Sequence, residues 1–253
     1  MGAGARRLAW QVWGGCVRHA LMALSALLAP VATPAFAADG AIVAARYVEP
    51  TTRYSHGVLG DAIEHGALEL HLDGTTKRTV IRLPQERVFE DTEPRVVDVD
   101  GDGRSEVVVV ESHQDEGARL AIYNAEGLFA TTPYIGTRNR WLAPIAIADM
   151  DGDGLVELAY IDRPHLAKTL RIWRFESGTL SEVTALEGLT NHRIGERDIA
   201  GGLRDCGFGP EMIVASGDWR QLMAVTFDGA SLSAREIGAH KNRASFAKAL
   251  ACK

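Results

Sequence analysis

The sequence predicts an all-β fold assembled from repeats, and three observations predict it. Two nine-residue acidic loops share one pattern. They begin 51 residues apart, at Asp98 and Asp149. After each loop the same series of short β-like runs returns, divided by glycine turns. Self-similarity at a fixed period marks a repeat architecture.

The loops read Asp98-Val99-Asp100-Gly101-Asp102-Gly103-Arg104-Ser105-Glu106 and Asp149-Met150-Asp151-Gly152-Asp153-Gly154-Leu155-Val156-Glu157. Four carboxylates in nine residues repel one another unless a cation joins them. Hard oxygen ligands of this kind suit calcium, which takes six to eight oxygens at about 2.3–2.6 Å. The glycine at the sixth position, Gly103 or Gly154, permits the sharp turn around an ion. A polar β-turn without metal is the competing account of each loop. An EF-hand is a poor match, because position twelve is Val109 or Tyr160 where a bidentate glutamate is needed. The flanks are also not amphipathic helices. Val96 and Val97 precede the first loop and Val107 to Val110 follow it; Ile145 and Ile147 precede the second, with Leu158, Ala159, Tyr160 and Ile161 after it. Short β-branched runs bounded by Gly and Asp read as buried strands.

On these residues, the stretches 95–110 and 144–161 closely resemble FG-GAP/VCBS repeats, as found in integrin α-subunit propellers and many secreted bacterial proteins. The resemblance implies a β-propeller with the acidic loop joining two strands of a blade around calcium. Carried over, the ligands would be Asp98, Asp100, Asp102 and Glu106 with the carbonyl of Arg104. The second set would be Asp149, Asp151, Asp153 and Glu157 with the carbonyl of Leu155. Two structural calcium ions follow. The string Phe-Gly-Gly-Ala-Pro is absent, and Trp141-Leu142-Ala143-Pro144 is its nearest echo. The repeat type is unspecific for function.

Each clear copy continues with three strands: residues 106–111, 117–124 and 127–132, then 157–161, 169–175 and 178–185. A third copy gives 211–215, 221–227 and 231–237. Its loop, Leu203 to Glu211, keeps only Asp205 (aligned at the third position) and Glu211, so it should not hold calcium well. A fourth, weaker copy precedes the strand 67–72. With the strand before each loop, a unit has four strands, the blade of a propeller. The expectation is a small propeller of about four four-stranded blades with Asp-rich calcium loops. The run Ala41 to Tyr47 is left over, and it would close the ring against residues 231–237. Helical periodicity is confined to residues 244–251.

Residues 1–37 read as a signal peptide: Arg6, Arg7 and Arg18, an apolar core over 21–31, and Ala35-Phe36-Ala37 before the cut. Translation could begin at Met22, and Arg6-Arg7 lies too far ahead of the core for a good twin-arginine signal. Residues 38–253 would then form one propeller domain, periplasmic or secreted, with no membrane span. Removing the three arginines takes the formal charge from −6 to −9, which disfavours nucleic acid as a partner. Cys206 and Cys252 remain and, in an oxidising compartment, read as a disulfide.

Three similar segments precede the loops: Thr52-Arg53-Tyr54-Ser55-His56, Thr137-Arg138-Asn139-Arg140-Trp141 and Thr190-Asn191-His192-Arg193-Ile194. They would either gather on one face as a ligand site or serve as turns between blades. His113, Pro164-His165 and Trp219 read as solvated turns, Trp173 as core. No G-x-S-x-G, H-E-x-x-H, phosphate loop or zinc spacing is present. The function read from the sequence is therefore a binding or scaffold module for a protein or glycan ligand. The alternative is an extracytoplasmic enzyme acting on a glycan or similar polymer, using His56, Arg138, Arg140 and His192. A purely structural subunit is a third reading.

Overall fold

The computed structural model describes residues 40–253; the signal-peptide reading of 1–37 lies outside them. The regular structure of the described chain is seventeen strands and one short helix. β1 (Ile42–Thr51) and β2 (Glu64–Leu72) pair antiparallel, and β3 (Arg78–Arg82) lies on the far side of β2. β4 (Arg87–Phe89) meets β2 through one pair, His65 opposite Phe89. With β5 (Arg95–Val97), β4 edges β6 (Glu106–His113), and β7 (Gly117–Asn124) and β8 (Gly127–Thr131) complete this eight-stranded sheet. A second sheet is a plain meander of β9 (Leu142–Ala148), β10 (Val156–Asp162), β11 (Thr169–Glu176) and β12 (Thr179–Glu187). In the third, β13 (Leu189–Thr190) and β14 (Gly202–Asp205) share one edge of β15 (Pro210–Ser216), followed by β16 (Gln221–Phe227) and β17 (Leu232–Ala239). Helix α1 (Arg243–Leu250) follows.

The apolar runs after the loops become central strands, buried on both faces. Alternation along a strand sends neighbours to opposite faces. Val107 and Val109 pack with Leu68, Leu70 and Phe89, whereas Val108 and Val110 pack with Trp141, Leu158 and Tyr160. Ala159 and Ile161 then face Met212 and Val214 of β15. Ile213 and Ala215, on the other side of β15, meet Phe246 and Ala249 of α1. The core is therefore a series of layers between successive sheets, which is why continuous valine runs suit β6 better than alternation would. The outer strands β12 and β17 are mostly exposed.

β1 does not close a ring. It pairs with β2 over its whole length, and β17 pairs only with β16 among the described residues. The physical reason lies at both ends of the series. The outward face of β2 carries Glu69 bonded to Arg46, Arg78 and His71, a polar surface needing no cover. At the other end α1 seals the apolar face of β15 and β16. The Cys206–Cys252 disulfide forms and ties the end of α1 to the loop before β15, while Arg204 donates to the carbonyl of Ala249 at 2.6 Å. The first and last groups of strands meet through their connections: Gly195 N donates to Val58 O at 3.0 Å, Arg197 reaches Asp61 at 3.9 Å, and Ile199 joins the apolar cluster of Val58.

Closing a 46-residue span stabilises by roughly 4 kcal/mol in the chain-entropy model. Reduction, or the pair Cys206→Ser and Cys252→Ser, should lower the melting temperature by on the order of 10 °C. Scanning calorimetry with and without reductant measures this. An unchanged transition would mean that the helix is held by Phe246 and Arg204 alone.

Candidate metal centre

Both acidic loops are hairpin connections between an inner strand and a central one: β5 to β6 and β9 to β10. Their hydrogen bonds repeat atom for atom. Asp98 accepts from Gly101 N (2.8 Å) and Gly103 N (3.0 Å); Asp149 accepts from Gly152 N (2.7 Å) and Gly154 N (3.0 Å). Glu106 Oε2 accepts from Val99 N, and Glu157 Oε2 from Met150 N, each at 2.9 Å. Gly103 and Gly154 adopt φ of +88° and +89°, a conformation that favours glycine. The glycines at the fourth position do the same, at +74° and +82°.

The carboxylates of Asp98, Asp100 and Glu106 each place an oxygen within 4.8 Å of the others, as do those of Asp149, Asp151 and Glu157. These oxygens are hard donors at a spacing one cation can bridge. Asp102 and Asp153 lie outside these trios. Asp102 turns to Arg104, with Nη2 to Oδ2 at 2.9 Å.

The two loops differ in how their charge is balanced. Glu106 is buried and faces Asp100, Asp98 and Asp102; burial, aided by that repulsion, pushes its carboxyl up to about 7. Glu157 is as deeply buried, but Arg174 of β11 stands opposite it in register. Arg174 Nε donates to Glu157 at 2.7 Å, and its guanidinium also reaches Asp151 and Asp153. Asn124 follows Tyr123 at the corresponding place beside Glu106. Desolvation still raises Glu157, with Arg174 opposing it. In the third loop, Arg204 and Arg235 both bind Glu211, and its carboxyl lies below the usual range: burial raises it, and the two arginines outweigh that.

Register corrects the alignment of this third loop. Arg204 opposes Glu211 as Val97 opposes Glu106 and Ala148 opposes Glu157. Asp205 is thus the equivalent of Asp98 and Asp149, at the first position and not the third. It accepts from Gly207 N and Gly209 N at 2.7 and 3.2 Å, so the loop keeps its turn with two residues fewer. Residue order alone gave no signal for Arg174 or Arg235; their role depends on strand pairing.

The segments ahead of the loops do gather, at the other end of the β9–β10 hairpin. His56, Asn139, Arg140, Trp141, Arg163 and His165 line a cleft of about 220 Å³, with Leu166 and Ile194 at its rim. Arg53 does not join it, since it donates to the carbonyl of Arg87 at 3.0 Å. Arg138 is exposed and is not among the lining residues. His192 is buried behind the cleft, edge-on to Trp141 at 4.9 Å. Two residues expected to be solvated turns are not. His165 bonds to His192 at 3.0 Å, and Trp219 packs on His240 and Phe246. Trp173 is core, as expected.

Residues 98–160 match the family model of the FG-GAP-like repeat. The matched stretch begins at the first acid of the first loop and runs through β10, so it contains both complete loops. No curated protein matches the chain. Among solved structures, an exo-beta-1,3-galactanase from Phanerochaete chrysosporium, crystallised with beta-1,3-galactotriose, aligns at a TM-score of 0.38 and 12% identity. The alignment covers 69% of this chain and 44% of that enzyme, and nothing of the galactanase's activity follows for this chain from a likeness at that level. No helix among the described residues is long and apolar enough to cross a membrane.

The raised carboxyl of Glu106 has a consequence for pH. Folded protein keeps this proton up to about 7, while an unfolded chain releases it near 4.3. The contribution to stability is complete below the unfolded value and is lost as pH rises towards 7. In chelator, wild-type protein should therefore lose stability between pH 5 and pH 7.5 by more than Glu106→Gln does. Urea titrations at the two pH values compare them. Equal losses would place Glu106 in a solvated site.

Proposed function

We propose that this chain is an exported, calcium-binding β-propeller module of about four blades, used for binding or as a scaffold. The observation that carries the calcium reading is the pair of carboxylate trios with matching hydrogen bonds. Each has one buried glutamate and two aspartates already turned inward by backbone N–H groups. A dication would cancel their repulsion and stiffen the hairpin. Asp98, Asp100 and Glu106 would hold one ion, and Asp149, Asp151 and Glu157 a second. Asp102, Asp153 and the carbonyls of Arg104 and Leu155 are the further ligands that the repeat resemblance supplies.

Export is supported by the leader-like residues 1–37 and by the disulfide, which persists in oxidising compartments. The binding role is supported by the cleft described above. Its lining contains no carboxylate, so the paired acids of glycan hydrolysis have no counterpart there.

The two ions should not bind equally. Arg174 already neutralises Glu157 and Asp151, and calcium must displace it. In the first loop no arginine holds Glu106 or Asp100, and only the exposed Arg104 must release Asp102, so this loop should fill at lower calcium. Calcium should raise the melting temperature relative to chelator, because it binds only the folded loops. Asp98→Ala should remove the part of the shift seen at low calcium, and Asp149→Ala the part that needs more. Arg174→Ala should tighten the second site by about tenfold, given a charged hydrogen bond's usual worth. Calorimetric titration resolves the two steps. Identical melting curves in calcium and chelator would dismiss the metal assignment.

A further inference from the structure

The cleft is built from four connections, those between β1 and β2, β8 and β9, β10 and β11, and β13 and β14. It lies across β9 from the second acidic loop, about 20 Å away for a strand of this length. Its floor is a chain of fixed polar groups. Trp141 Nε1 donates to the carbonyl of Glu90 at 2.8 Å. His56 Nδ1 donates to the buried carboxylate of Glu90 at 2.6 Å, and Ser112 donates to the same carboxylate. The Tyr54 ring lies edge-on to His56 at 6.0 Å, and its buried hydroxyl has no hydrogen-bond partner.

Tautomers on the other wall follow from a carbonyl that can only accept. His192 Nε2 donates to the Glu196 carbonyl at 2.8 Å, so Nδ1 is bare and accepts from His165 Nε2 at 3.0 Å. His165 therefore keeps Nδ1 as a free acceptor. Burial holds both rings below the usual imidazole range, His165 down to about 4, so both are neutral at pH 7. Arg163 is engaged by Asp162 through two bonds of 2.8 and 2.9 Å. Arg140 is different. It is half-buried, its guanidinium makes one hydrogen bond, to the Asn139 carbonyl at 3.0 Å, and no acid lies within ion-pair distance among the described residues. At the rim, Leu166 and Ile194 are 62% and 72% exposed, large apolar groups left in water around a charged centre.

The geometry points to a binding site for a small monocarboxylate with a branched apolar body of about leucine size. The carboxylate meets the unpaired guanidinium of Arg140, a charge-assisted contact of the strong class. The apolar body covers Leu166, Ile194 and the edge of Trp141. An amide or hydroxyl beside the carboxylate can donate to His165 Nδ1. The volume, below the roughly 300–1,000 Å³ of drug-sized pockets, admits one residue-sized group and not an oligomer. Such a group could be a free acid or the carboxyl end of a peptide. The inference rests on the binding role proposed above and gives it a ligand class.

N-acetyl-leucine, N-acetyl-leucinamide, 4-methylpentanoate and the tripeptide Ala-Ala-Leu would be titrated into the calcium-loaded protein by two-dimensional NMR. N-acetyl-leucine should bind with a Kd of about 1 mM or below and shift the Trp141 indole signal. Its amide should bind about tenfold more weakly or worse. Arg140→Ala should lose the difference between acid and amide while keeping the wild-type response of melting temperature to calcium. Tighter binding of the tripeptide than of 4-methylpentanoate identifies a peptide terminus as the source, and the reverse a free acid. Equal binding of acid and amide, no binding of any probe, or unaltered discrimination in Arg140→Ala overturns the assignment. Because calcium's thermal shift is read in the same samples, failure of the cleft is distinguishable from failure of the calcium module.

Discussion

Each repeat buries a glutamate where its loop enters the central strand, and that carboxylate governs much of what surrounds it. Glu106, Glu157 and Glu211 are all under a tenth exposed. An unpaired buried charge is expensive, so each must be neutralised or protonated. In the first two loops the glutamate also ties the hairpin together. It accepts the N–H of Val99 or Met150, whose side chains sink into the layers between sheets. The loop is thereby anchored to the core at its second residue. The positive-φ glycines bend the rest back so that its aspartates face the glutamate.

The electrostatic problem is solved three ways along one chain. Among the described residues no cation pairs with Glu106, and burial holds its carboxyl up to about 7. Beside Glu157 a single arginine arrives from the next strand. Beside Glu211 two arginines replace any need for an ion, and a disulfide and helix α1 hold the shortened loop. The same positions five residues on repeat a related theme: Glu111 is bound by Arg87 and Arg119, Asp162 by Arg163 and Arg171. Glu157, Glu211, Glu111 and Asp162 are thus buried against arginines of neighbouring strands or turns, and Glu106 is the exception among these loop and strand acids.

Much of this was legible in the residues. Strands β7 and β16 start and end where the alternation and glycine turns place them, and the Cys206–Cys252 bridge and the C-terminal helix follow from cysteine count and periodicity. Local patterns of this kind report on local geometry. What escaped reading was non-local. The apolar run from Ala41 carries no mark of which edge it will pair with, and it went to β2, not to β17. Residue order puts Asp205 at the third loop position, because the deletion in its loop shows only in the pairing of Arg204 with Glu211. The strand alternation gives Arg174 and Arg235 no assigned role, and His165 reads as a turn. Their partners lie on other strands or connections, at separations that only pairing reveals.

The ends of the layered core show why the β1 expectation failed. A ring is one way to remove exposed sheet faces and edges; capping the terminal layers is another. Here the outward side of β2 is covered with Arg46, Glu69, His71 and Arg78, which water can solvate. The opposite terminal layer is apolar, and Phe246 and Ala249 of α1 fill it. With both terminal faces satisfied, β1 gains more by completing its long antiparallel ladder on β2 than by reaching β17. The first and last groups then approach through their turns, by the backbone contact of Val58 with Gly195, the Arg197–Asp61 pair and the packing of Ile199. Those two turns border the cleft residues His56 and Ile194, so the point where the ends of the layered series meet also lies beside Arg140 and the exposed side chains of Leu166 and Ile194.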